Sequence, residues 1–251
     1  MRLGRRVLLF ITSFILTAGV LLVLLRQSGF FEITSVPVDF ALHDAETGSV
    51  PAAVADRMKR ELGERFQALK GKSIWEIDLG DLRASLVRDE WVKELMISRR
   101  FPNEVRVSIR PKAVALVWVD KQEKFYPVTV DGEILGPLPA GSLPDVPFLR
   151  GEIFQEDEGR RKEAVKFVLS LAEEGFLNRR NVSEITWAQE SGYTLVLLRP
   201  KVEVVLGDEN LSLKVMRVTQ VLNYLTANNL KGRVIDASFS KKVLVRLRKE
   251  P

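Results

Sequence analysis

The 251-residue chain has no cysteine and a single histidine, His43. Without cysteine there is no disulfide framework and no thiolate nucleophile or ligand. A single histidine cannot build a multi-histidine metal site within one chain. Gly71-Lys72-Ser73 resembles the end of a phosphate-binding loop, but that loop needs a glycine where Phe66 stands. No Gly-x-Ser-x-Gly elbow is present. Carboxylate neighbours such as Asp89/Glu90 and Glu173/Glu174 lie in polar stretches and read as solvated faces. The sequence therefore nominates no catalytic residue, no metal ligand and no cofactor.

Charge excludes a further class. The net charge is +5, but residues 1–26 contribute Arg2, Arg5, Arg6 and Arg26 and no acid. The remainder holds 34 basic and 33 acidic residues. Nucleic-acid binding wants a concentrated basic face, and Arg99-Arg100-Phe101 is too short to make one.

A long apolar run is present. Val7 to Leu25 is 19 residues without a charge, 14 of them Leu, Ile, Val or Phe. At about 1.5 Å per residue the helix would be roughly 28 Å long, close to the hydrocarbon thickness of a bilayer. Three arginines precede the run and one follows it, so the positive-inside rule predicts a cytoplasmic N-terminus and a translocated remainder. A cleaved signal peptide would have a shorter apolar region followed by a small-x-small site; here Arg-Gln-Ser-Gly-Phe-Phe follows. The expected layout is a cytoplasmic tail at residues 1–6 and an uncleaved transmembrane helix at residues 7–25.

Beyond it the pattern is α+β. Phe31–Phe40 alternates and reads as a strand, and His43–Val50 reads as a loop. Pro51 suits a helix start, and Val54, Met58, Leu62, Phe66 and Leu69 form one helical face that Gly71 ends. Leu79, Leu82 and Leu86 mark a short second helix. Val92–Arg99 and Val105–Arg110 read as strands about a Pro102-Asn103 turn. Trp91, Val92, Ile97 and Val107 are expected to be mostly buried. Strand, helix, helix, strand, strand packs most economically as a three-stranded sheet with two helices on one side. A larger, mostly antiparallel β-domain with helices follows. It has strands at Val114–Val119 and Tyr126–Val130, a hairpin signal at Asp131-Gly132, and helices at Gly159–Gly175 and Leu211–Leu225. The expected domains are residues 31–111 and 112–251.

The closing strand has two faces. Val243, Val245 and Leu247 point one way; Lys242, Leu244, Arg246 and Arg248 point the other. At a sheet edge such a strand could accept a partner strand, with main-chain bonds giving affinity and Leu244 and the basic row selecting an apolar, acidic partner.

Gly71–Trp118 resembles the POTRA domain of the FtsQ/DivIB family. The residues that carry the likeness are Gly71, Ile74–Leu79, Leu82, Leu86, Trp91-Val92, Ile97, Arg99, Phe101-Pro102, Val105, Val107 and Ile109. Val130-Asp131-Gly132, Leu143-Pro144, Leu149-Arg150-Gly151 and Val234-Ile235-Asp236 resemble the family's β-domain. Two departures stand out. Arg110-Pro111-Lys112-Ala113-Val114-Ala115 lacks the family's acidic residue, and Asp236 is followed by Ala237-Ser238 where the family has Leu-Arg.

The resemblance implies a bacterial division scaffold of the inner membrane with no catalytic activity. It would link early and late division proteins, bind FtsB- and FtsL-like single-span coiled-coil partners, and concentrate at the septum with its bulk in the periplasm. Its position in the chain matches the partner-binding end, so Lys242, Leu244, Arg246 and Arg248 are the expected partner contacts. A POTRA-bearing envelope secretion or assembly factor and a membrane-tethered envelope enzyme are the alternatives.

Overall fold

A computed structural model describes residues 2–41 and 48–248, with side chains from Ile11 onward except at 22, 26 and 27. Residues 42–47, which include His43 and most of the expected loop, lie outside the described residues, as do 249–251. The side chains of the expected cytoplasmic tail, residues 1–6, lie outside them too.

The chain opens with helix α1 (Arg2–Gln27). Phe14, Leu16, Ile15 and Leu21 on it are all more than half exposed. Among the described residues no helix is long and apolar enough to cross a membrane; the expected span at residues 7–25 rests in part on side chains outside them.

The chain forms two compact units: Met1–Ala41 with Asp56–Pro111, and Leu42–Ala55 with Lys112–Pro251. The first holds β1 (Val38–Phe40), the body of α2 (Ala52–Gln67), α3 (Leu79–Leu86), β2 (Val92–Arg100) and β3 (Glu104–Pro111). Its three-stranded sheet runs β1-β3-β2, with β1 parallel and β2 antiparallel to the central β3. Centrality explains the burial of β3: Val105, Val107 and Ile109 are sealed, while Arg106, Ser108 and Arg110 alternate with them on the half-exposed face. On α2 the expected stripe of Met58, Leu62 and Phe66 is buried. Asp78 caps α3 by accepting from the Gly80 and Asp81 N–H groups at 2.7 and 3.3 Å.

Trp91 and Val107 are fully buried, and Val92 and Ile97, on the edge strand β2, are mostly buried as expected but less completely. One expectation needs correction here. Phe31–Phe40 is not one strand. Only Val38–Phe40 forms a ladder; Phe31 and Ile33 pair with the α2–α3 connection, Ile33 N–H donating to Lys72 O and Ile74 N–H to Phe31 O, both at 2.9 Å, while Ser35 and Pro37 accept from the Val105 and Val107 N–H groups of β3.

The second unit holds β4 (Val114–Val119), β5 (Phe125–Thr129), β6 (Phe148–Arg150), α4 (Ile153–Glu156), α5 (Glu158–Ser170), β7 (Val182–Ala188), β8 (Gly192–Leu197), β9 (Val202–Gly207), α6 (Leu211–Ala227), β10 (Gly232–Asp236) and β11 (Leu244–Leu247). The eight strands form one sheet in the order β11-β10-β9-β8-β7-β6-β4-β5. The sheet is mostly antiparallel, as expected, through β10–β11, β9–β8, β8–β7 and β4–β5; β4–β6, β6–β7 and β9–β10 are parallel neighbours within it. Parallel pairing needs a crossover, and α4 and α5 supply one between β6 and β7 while α6 supplies another between β9 and β10. The core joins Leu149, Ile185, Leu195 and Val204 of the sheet to Ala164 and Val168 of α5 and Val218 and Leu222 of α6. Arg161 is buried here, and its guanidinium donates to the carbonyls of Gly132, Phe154 and Gln155 at 2.7, 2.7 and 3.2 Å. Its buried charge is thus met by three backbone acceptors.

Candidate functional site

The end of the eight-stranded sheet carries the residues singled out from the sequence. β11 pairs with β10 in antiparallel register, Asp236 opposite Leu244, Ile235 opposite Val245 and Val234 opposite Arg246. Among the described residues the strand order ends at β11. Arg248 N–H donates to Lys231 O at 2.8 Å, toward β10. N–H directions alternate along a strand, so those of Val245 and Leu247 point away from β10, to the free side. That side is a template for another extended chain.

The four expected contact residues are not equivalent. Leu244 and Arg246 lie within β11 and are exposed, Leu244 at 45%. Lys242 precedes the strand, with its ammonium 4.9 Å from the Phe239 ring centroid. Arg248 follows it and donates to Lys201 O at 3.3 Å, so its guanidinium is partly committed to its own chain. The structure brings Leu244 and Arg246 onto one exposed face and leaves the other two at the flanks.

The sequence sets Val243, Val245 and Leu247 on the opposite face of β11 without saying what they meet. Val243, Val245 and Leu247 form one wall of an open groove of ≈ 490 Å³ whose other wall is α6, with Val221, Tyr224 and Leu225, and Leu230 beyond it. Tyr224 is 63% exposed. The sequence held a signal for this: Val221 and Tyr224 flank the buried stripe of Val218, Leu222 and Leu225, making the apolar face of α6 wider than its core contact requires. Arg217 on α6 donates to Ser240 O at 2.6 Å and fastens the β10–β11 connection to the helix. Lys231, Arg233, Lys241, Lys242, Arg246 and Arg248 are all exposed at this end of the unit. The arrangement can pair main chain with an extended segment, cover apolar side chains and attract acidic ones.

Residues 116–238 match the family described as cell division protein FtsQ/DivIB, C-terminal, and residues 59–110 match the POTRA domain, FtsQ-type. Among curated proteins, the cell division protein FtsQ of Geobacter sp. (strain M21) is 26% identical over 187 residues, covering 70% of this chain and 66% of that protein. FtsQ of Geotalea daltonii is 24% identical over 196 residues, 75% of this chain and 70% of that protein. Cell division protein DivIB of Solibacillus silvestris is 24% identical over 102 residues, 41% of this chain and 34% of its own length. The match thus spans just under two thirds of the Geobacter protein's length. The two matched regions fall on the two folded units, the first on the three-stranded sheet and its helices and the second on the eight-stranded sheet. With both modules present in that order, the chain belongs to the FtsQ/DivIB family of cell division proteins.

Proposed function

We propose that the chain is a non-catalytic scaffold of the bacterial division machinery. α1 anchors it in the cytoplasmic membrane with the N-terminus inside, and the two folded units lie in the periplasm at the septum. Its partners are FtsB- and FtsL-like single-span coiled-coil proteins, and through them it links early and late division proteins. The observation that carries this reading is β11: a short, two-faced strand at the end of the sheet, with Leu244 and Arg246 exposed on it and N–H groups directed outward. An extended partner segment with apolar and acidic side chains would pair with it. The exposed apolar side chains of α1 and the arginines ahead of them support the anchor and its orientation.

Chemical crosslinking in intact membranes followed by purification of the full chain tests the proposal. Small single-span coiled-coil division proteins are expected in the product, and a reporter fused after Pro251 is expected to behave as extracytoplasmic. A cytoplasmic reporter would refute the topology, and a product free of such partners would refute the scaffold reading.

A further inference from the structure

The end of the first unit that receives the chain from α1 carries a row of four aromatic rings. Phe30 and Phe31 meet at 5.2 Å between centroids, Phe31 and Trp75 at 5.8 Å, and Trp75 and Phe101 at 4.8 Å. Three of the four are exposed, Phe30 at 49%, Trp75 at 59% and Phe101 at 56%. Isolated exposed rings are ordinary on a protein surface; a contiguous row of them marks a face that something covers.

Chain continuity says what covers it. α1 ends at Gln27, three residues before Phe30, so the row begins at most about 10 Å of chain beyond the helix. Backbone bonds then hold the other rings at the same place. Ile33 N–H donates to Lys72 O and Ile74 N–H to Phe31 O, which pins the Trp75 loop beside the exit from α1. Thr34 N–H donates to Asn103 O at 3.0 Å, which pins the β2–β3 turn that carries Phe101. The rings come from three separate stretches of sequence and converge where the chain leaves α1.

Resting on the reading of α1 as the membrane anchor, we propose that Phe30, Phe31, Trp75 and Phe101 form a foot that seats this unit in the headgroup region of the bilayer. Aromatic side chains, tryptophan above all, favour that depth, where the ring is apolar and the indole N–H stays wet. The flanking exposed charges are of both signs, with Glu32 and Glu76 beside Lys72 and Arg100. The contact is therefore apolar rather than electrostatic, and it forms on zwitterionic lipid. It holds the unit close to the membrane and restricts its swing about the end of α1.

The test uses the full chain reconstituted in phosphatidylcholine vesicles containing lipids brominated near the headgroup end of their acyl chains. Tryptophan emission is expected to be quenched, and Trp75→Phe, at an exposed position that tolerates the change, is expected to remove most of the quenching. Retention of the chain in vesicles after an alkaline wash reads the anchor separately. A retained chain whose quenching is absent, or is the same in W75F, overturns the foot and leaves the anchor standing. A chain that washes off overturns the anchor and the foot with it. A photoreactive group at position 75 that captured protein and no lipid from native membranes would assign the rings to a protein partner and overturn the foot as well.

Discussion

Arg217 Nη1 donates to the carbonyl of Ser240 across 2.6 Å, so a helix, α6, helps to hold the connection between β10 and β11. The edge strand is only four residues long, Leu244–Leu247, and short edge strands fray readily. Arg217→Ala is expected to destabilise the second unit by about 1 kcal/mol in chemical denaturation. It is also expected to raise amide exchange rates from Ser240 to Val245. Unchanged exchange there would show that the turn is held by other contacts.

The central strand of the first unit gives a harsher outcome. Val107 is fully buried on β3, between β1 and β2. Val107→Asp leaves a carboxylate in that core and is expected to cost more than about 3 kcal/mol, enough to unfold the unit. Loss of its thermal transition, with the transition of the second unit retained, checks this. A normal transition would contradict the register.

How far these elements were legible depended on how local their causes are. The period-two pattern of Val105, Val107 and Ile109 and the helical stripe of Met58, Leu62 and Phe66 are local, and both form the elements expected of them. Burial across an edge strand is not local. Val92 and Ile97 carry the same apolar signal as Leu95 and are less completely buried, because among the described residues β2 has only β3 beside it. The three parallel ladders of the larger sheet were likewise illegible, since hydrophobic alternation fixes which face is buried and not which neighbour is parallel. At the candidate site the two-faced pattern of Val243–Leu247 was readable; the groove behind it needed α6 and β11 to meet in space.

Tyr193 gives an alkaline signature. Its phenol is pushed up to about 12, chiefly by burial, against an ordinary value of 10.0. The folded state therefore keeps its proton where the unfolded state loses it. Stability is unaffected below pH 10 and falls as the pH rises from about 10 to about 12. Denaturation midpoints between pH 8 and 11 are expected to show this fall, and Tyr193→Phe is expected to flatten it. The same slope in both proteins would assign the effect to another group.

The exposed face of β11 separates stability from binding. Leu244→Glu is expected to change stability by less than about 0.5 kcal/mol, because the side chain faces outward, while weakening capture of the division partner. Arg246→Glu is expected to weaken capture too, with a deficit that shrinks as salt screens the charge. Pulldown at low and high ionic strength measures both. Equal capture by the parent and both variants would move the interface away from this face.

The central claim is that a partner strand adds to β11, and amide hydrogen exchange of the second unit with and without the bound partner ectodomain tests it most directly. Strand addition is expected to protect the N–H groups of Val245 and Leu247, which point away from β10, while Arg248 N–H, already bonded to Lys231 O, changes less. A tight complex in which Val245 and Leu247 exchange as fast as in the free chain would contradict it.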